Sequence, residues 1–239
     1  MLEAEGFSLG AQPGAWLSPD GIPVDLMVPE ALAGPGSRGA RLGPHERRVA
    51  RRAKGLEGAV VDRELMEISS LDPHVERSAA ILVAGPTALL VAKVHKIVER
   101  AGIPNRLRDK DAFDVFRLLQ ATDSLTLAEG FARLVDHEVS RTVATEAVSQ
   151  LARLFATPDA VGIRMTVRAA GPDAEPDVIA ASLRALVSDL VAATGGGATA
   201  RSQSAGERNE GGGARLWIAL PGWSGEGAQF RSHCGIAFA

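Results

Sequence analysis

Ala79-Ala80-Ile81-Leu82-Val83-Ala84-Gly85-Pro86-Thr87-Ala88-Leu89-Leu90-Val91-Ala92-Lys93 is the stretch in which this chain changes its pattern. Before Gly85 the apolar residues come in short β-like runs, at residues 59–61, 65–68 and 80–83. After Pro86 they recur about every 3.6 residues, and that period holds to about residue 193. Proline suits a first helical position, where its missing N–H has no helical partner to lose. A chain that is strand-like on one side of such a point and helical on the other is expected to be α+β.

Working back towards the start, residues 1–30 read as the later half of an α/β unit. A helix end at Gly6 leads through the turn Ser18-Pro19-Asp20-Gly21 into a strand at residues 22–28, which Pro29 ends. Residues 34–54 are rich in Gly and cations. Arg38, Arg41, Arg47, Arg48, Arg51, Arg52 and Lys54 stand against Glu46, a local charge of +6, so the segment is a loop or an exposed basic helix.

Working forward, the first long helix starts at Pro86 and stops before Gly102 and Pro104. A second starts with Asp109 as its N-cap and runs to about Ala121. A third opens on the capping box Thr126-x-x-Glu129 and, with residues 139–155, makes a helical hairpin or one broken helix. A last helix begins at Pro176 and carries Val178, Ile179, Leu183, Leu186, Val187 and Leu190 at core spacing. Residues 161–167 fit a strand and a short helix about equally. From Gly195 the composition shifts: eleven of the last 45 residues are Gly, against 15 of the first 194, which predicts a disordered tail. Its late apolar residues, Trp217, Ile218, Leu220, Trp223, Phe230 and Phe238, offer an edge hairpin as the alternative.

Composition limits the function classes. The chain has 239 residues, 46% of them apolar and 23% charged, with net charge −3, so no global charge draws it to nucleic acid or membrane. Cys234 is the single cysteine, which excludes an internal disulfide and suits a reducing cytoplasm. The start lacks the basic and apolar regions of a secretory signal, and residues 79–92 are too short and too interrupted to span a bilayer.

Three places carry possible chemistry. On the first helix Lys93, Lys96 and Arg100 fall within an arc of about 60°, beside Leu90, Val94, Ile97 and Val98, either as a solvated face or as a cationic stripe bordering a site. On the second, Asp111 and Asp114 flank Ala112, Val115, Phe116 and Leu119, with Lys110 four residues before Asp114; dipole partners at a helix start have the same look. The third is Asp25, an acid inside the apolar strand Val24-Asp25-Leu26-Met27-Val28. It faces outward on an edge strand if Val24, Leu26 and Val28 form the buried face; buried, it needs a partner or a metal.

In this order, the apolar-Asp-apolar strand, the helix Leu89-Leu90-Val91-Ala92-Lys93-Val94-His95-Lys96-Ile97-Val98-Glu99-Arg100 and the segment Arg108-Asp109-Lys110-Asp111-Ala112-Phe113-Asp114-Val115 resemble the AbiEii toxin family of the minimal nucleotidyltransferase-like superfamily, over roughly residues 1–121. The resemblance implies a partial nucleotidyltransferase-like mixed sheet at residues 1–85, a helical domain at 86–194 and the tail at 195–239. It implies transfer of a nucleoside monophosphate from a nucleoside triphosphate to an RNA or protein acceptor, with Mg²⁺, in the toxin of a bacterial toxin–antitoxin or phage-defence pair. Carried over, Asp25 becomes the metal-site carboxylate, and Lys93 contacts the triphosphate with Arg100 beside it. Lys110 and Asp111 form the last motif, Lys110 as a nucleotide-binding residue and Asp111, like Asp25, as a catalytic carboxylate, supported by Asp114. A cognate antitoxin and, through the run from Arg38 to Lys54, an RNA become partners; a membrane does not.

The family's opening Gly-Ser turn and Asp-x-Asp strand have no counterpart before Asp25. The expectation is therefore a late start or a decayed relative, inactive as written. The alternative reading is a non-catalytic RNA-binding or helical interaction protein.

Overall fold

The computed structural model describes residues 2–43, 45, 47–72, 74–101, 103, 108–196, 217–219 and 236–238. They fall into two units, one made of Met1–Ala53, Arg63–Ala84 and Gly211–Ala239, the other of Lys54–Asp62 and Gly85–Glu210. The fold is α+β, as the change of period at Pro86 leads one to expect.

The first unit is a mixed sheet. A 3-10 turn at Leu2–Glu5 ends on Gly6, whose φ of 79° is the left-handed conformation expected of a C-cap glycine. β1 (Ser8–Leu9), β2 (Ala15–Leu17) and β3 (Pro23–Pro29) run antiparallel in succession. The Ser18–Gly21 turn joins β2 to β3, with the Gly21 N–H donating to the Ser18 carbonyl at 3.0 Å. β4 (Arg51–Ala53) pairs parallel with β3, and β5 (Arg63–Ser69) forms a hairpin with β6 (Ser78–Ala84).

Two short strands, β7 (Trp217–Ala219) and β8 (Ile236–Phe238), pair with each other, β7 also with β3 and β8 with β6. The disorder expected from residue 195 onward falls, for 197–216 and 220–235, outside the described residues.

The basic segment is a loop sewn onto this sheet, not a helix. Gly14 donates to the Arg48 carbonyl and its own carbonyl accepts from Leu26, while the Trp16 indole donates to the Val49 carbonyl at 2.8 Å. A Cβ at Gly14 would meet the Leu26 oxygen at 2.2 Å, so only glycine lets the loop approach so closely. Trp16, Leu26, Val28, Ala33, Ala40 and Ala50 form the small core beneath.

The second unit is helical: α1 (Pro86–Ala101), α2 (Asp109–Ala121), α3 (Ser124–Asp136), α4 (Arg141–Phe155), α5 (Val161–Ala170) and α6 (Pro176–Gly196). Residues 59–61, read as a β-like run, belong here instead: Ala59 and Val60 lie in a 3-10 turn at Leu56–Val60 and Val61 is its C-cap. Gly55 enters that turn at φ 91°, and its N–H donates to the Glu57 carboxylate at 2.8 Å, a local bond that competes with any strand. Asp62 then caps α1 from outside, its carboxylate accepting from the Ala88 N–H at 2.9 Å.

Two cap positions differ from the sequence reading. Arg108 is the N-cap residue of α2 and Asp109 its first helical residue; Asp123 caps α3, accepting from the Thr126 N–H at 2.9 Å, so Thr126 serves as the donor and not as the cap. The helical hairpin is formed by α3 and α4. Residues 161–167 are helical because Gly162 lets α5 press against the Phe155 ring while Ile163, Met165 and Thr166 are buried.

On α6, Leu183, Val187 and Leu190 enter the core, whereas Val178, in the first turn, is 56% exposed among the described residues. By length and composition α6 is also long and apolar enough to cross a membrane, with mean hydropathy 1.5 over an 18-residue window, which the sequence reading did not anticipate. Its three core residues pack with Leu90, Val94, Phe131, Leu151 and Phe155 in one apolar cluster.

Candidate functional site

The period of α1 puts Leu90, Val94 and Ile97 into the core and leaves Lys93, Lys96 and Arg100 along its border. α2 meets that border with the same division of labour. Ala112, Val115, Phe116 and Leu119 are buried, and Asp111 lies one residue before this run, in the first turn. Packing α1 on α2 through these apolar faces therefore carries three cations to one carboxylate.

Asp111 is 1% exposed and both of its oxygens are engaged. Oδ1 accepts from Lys93 Nζ at 3.2 Å and lies 3.2 Å from Lys96 Nζ, while Oδ2 accepts from Arg100 Nη1 at 3.0 Å. Lys93 also donates to Asp114 Oδ2 at 2.5 Å. Burying a carboxylate costs several kcal/mol unless it is paired and hydrogen-bonded, and here three donors meet that cost.

Burial alone pushes the Asp111 carboxyl up; the charges of Lys96 and Lys93, with hydrogen bonds from both, outweigh it and hold the group below the ordinary carboxylate range. Lys96 moves down: burial disfavours its charged form, the attraction of Asp111 opposes this, and repulsion from Lys93 and Arg100 adds to the lowering. Among the described residues the cluster holds three cations and two carboxylates, one net positive charge.

Of the residues singled out by sequence, Lys93, Arg100, Asp111 and Asp114 are thus brought together. Lys110 is exposed and makes no ion pair among the described residues, because Asp114, its neighbour four residues on, turns to Lys93. Asp25 belongs to the other unit. It lies on the face of β3 opposite Leu26 and Val28, and Arg51 Nη2 stands 3.8 Å from its carboxylate. The outward-facing reading of that strand thus describes its alternation, but β3 is an interior strand, paired with β2, β4 and β7.

A Mg²⁺ ion needs several oxygen ligands, carboxylates among them. Asp25 is one carboxylate with a guanidinium beside it, Asp111 is saturated by cations, and no group of three or more His, Cys, Asp or Glu able to hold a metal occurs among the described residues. The donor set does not fit the ion.

Two features go beyond the roles that the sequence reading assigned. Lys96 belongs inside the cluster, and the stripe at three- and four-residue spacing was the available signal. Arg168 on α5 makes a bidentate pair with Asp109, at 2.8 and 2.7 Å, which raises the Arg168 pKa further through those hydrogen bonds. The two residues are 59 positions apart, and nothing local announces them. His95, buried beside this helix face, has its Nε2 2.9 Å from the Val143 carbonyl oxygen and is a packing residue.

The basic loop is partly committed to structure. Arg48 donates to the Gly10 carbonyl, Arg51 to Met27 Sδ, and Arg52 to the Gly34 and Gly36 carbonyls and to Glu30; Lys54 pairs with Glu146 at 2.7 Å. Arg38, Arg41 and Arg47 are exposed and make no ion pair among the described residues. No protein-family model, no curated protein and no solved structure matches this chain.

Proposed function

We propose that this chain is a nucleotidyltransferase-like protein that binds the phosphates of a nucleoside triphosphate at the α1–α2 cluster, in the cytoplasm. The reaction class is transfer of a nucleoside monophosphate to an RNA or protein acceptor, in a toxin–antitoxin or phage-defence setting with a cognate antitoxin as partner. One observation carries this reading. Three of the residues by which the chain resembles AbiEii toxins meet, Lys93 donating to both Asp111 and Asp114, while Lys110 stays outside the cluster and Asp25 belongs to the other unit.

In this reading Asp111 organises the cations and does not act as a base. A carboxylate that is 1% exposed and already bonded to Lys93 and Arg100 is poorly accessible to a substrate proton, and its lowered pKa makes it a poor acceptor. The cations supply positive charge where phosphate oxygens gather charge. Transfer also needs a carboxylate pair for metal, which the described residues do not provide, so nucleotide binding is the part of that reaction for which the described residues are equipped. Arg38, Arg41 and Arg47 are the positions offered to an RNA acceptor.

The test is thermal unfolding with each of the four nucleoside triphosphates. At about 100 times Kd a bound ligand adds about 2.7 kcal/mol, a rise of several degrees for a chain of this size. A flat response to all four would end the reading, and labelled-nucleotide transfer by this chain alone would show that the metal site has been misjudged.

A further inference from the structure

Resting on the reading of α1 and α2 as a phosphate-binding site, we infer that Lys96, and not Lys93, makes the direct contact to the phosphate group. The resemblance assigns that contact to Lys93. The geometry divides the cations differently.

Lys93 donates to two carboxylates and is 13% exposed; Arg100 donates to the second oxygen of Asp111 and is 19% exposed. Both are spent inside the protein. Lys96 shares Asp111 Oδ1 with Lys93 and is 39% exposed, more than either of the other two cations. With three cations and two carboxylates, the unbalanced charge falls at this position.

A cation that is partly desolvated and repelled by two like charges gains from an incoming anion more than a lysine in water does, because the anion relieves both penalties together. The lowered pKa of Lys96 agrees with this account. The ligand that fits is a phosphoryl group with more than one negative charge, such as pyrophosphate or the end of a triphosphate. Asp111 then has a second use. By taking one lone-pair direction of its Oδ1 for Lys96 it fixes where the ammonium sits, which reduces the side-chain entropy lost on binding.

The experiment measures pyrophosphate binding by calorimetry, without metal and at constant chloride, to the full chain and three variants. Lys96→Gln is expected to weaken binding about ten- to a hundredfold, the loss of one charged hydrogen bond. Lys96→Arg is expected to stay within about threefold of the wild type. Lys54→Gln, the same charge change at another ion pair, is expected to leave binding unchanged. Circular dichroism of each variant establishes that it is folded. Equal binding by Lys96→Gln and Lys54→Gln would overturn the inference, and so would a wild-type chain that binds no pyrophosphate. Pyrophosphate binding that depends on Lys96, in a chain that no nucleoside triphosphate stabilises, would keep the anion site and remove the nucleotide reading; the two failures are therefore separable.

Discussion

Arg100 Nη1 donates to Asp111 Oδ2 at 3.0 Å, so the guanidinium closes the one side of the carboxylate that neither lysine reaches. This contact ties the last turn of α1 to the first turn of α2. The helix termini suit it, because a cation is favoured at a C-terminus and an anion at an N-terminus.

Replacing Asp111 is therefore expected to cost more than replacing any of its cations. Asp111→Ala leaves Lys93, Lys96 and Arg100 facing one another without their shared anion, and a loss of about 3–5 kcal/mol is expected from breaking a buried pair. Urea unfolding measures it. A loss below about 1 kcal/mol would mean that the cluster relaxes into solvent.

The same carboxylate makes stability depend on pH. Its folded pKa is below the unfolded value of about 3.9, so the stabilisation is fully present above that value and is lost as pH falls through the folded pKa. The difference in stability between the wild type and Asp111→Asn should then shrink as the pH falls below about 4. A difference that stays constant down to pH 2 would show that charge is not its origin.

Lys96 has the opposite sign of effect. Its folded pKa lies below that of an unfolded lysine, so the charged form is disfavoured in the fold and stability gains as pH rises from the folded to the unfolded value. At neutral pH, Lys96→Gln is expected to melt no lower than the wild type, whereas Lys93→Gln, removing bonds to two carboxylates, is expected to melt lower. Differential scanning calorimetry on both variants decides between this ordering and its reverse.

Gly14 and Gly21 separate the cost of a backbone conformation from the cost of a clash. Both have φ near 79°, but a Cβ at Gly21 meets nothing within 4 Å while one at Gly14 meets the Leu26 carbonyl and the Arg51 amide. Gly21→Ala is expected to lose about 1–2 kcal/mol and Gly14→Ala distinctly more, with the basic loop detaching from β3. Hydrogen exchange at the Leu26 amide, which bonds to Gly14, reports the detachment directly.

Mg²⁺ and chelator are expected to leave the melting temperature unchanged within about a degree, because no described donor set fits the ion. A saturable rise with Mg²⁺ alone would locate a carboxylate site that the described residues do not contain.

What sequence reading could reach, and what it could not, follows from the range of the forces involved. The start of α1 at Pro86, the end of α2 at Ala121, the start of α6 at Pro176, and the shared face of Lys93, Lys96 and Arg100 were all determined by the sequence itself. Each rests on hydrogen bonds within four residues or on a period of 3.6, and both are written into neighbouring positions. Only the tertiary structure decided that Arg51–Ala53 joins β3 as a parallel strand, that Asp62 caps a helix it does not belong to, and that Asp109 leaves its own helix end to hold Arg168. It also decided that two acids and three cations share one site with a charge to spare. Those outcomes depend on which groups the fold brings within about 3–4 Å of each other, and at that range burial multiplies the strength of a charge that local sequence shows only as a letter.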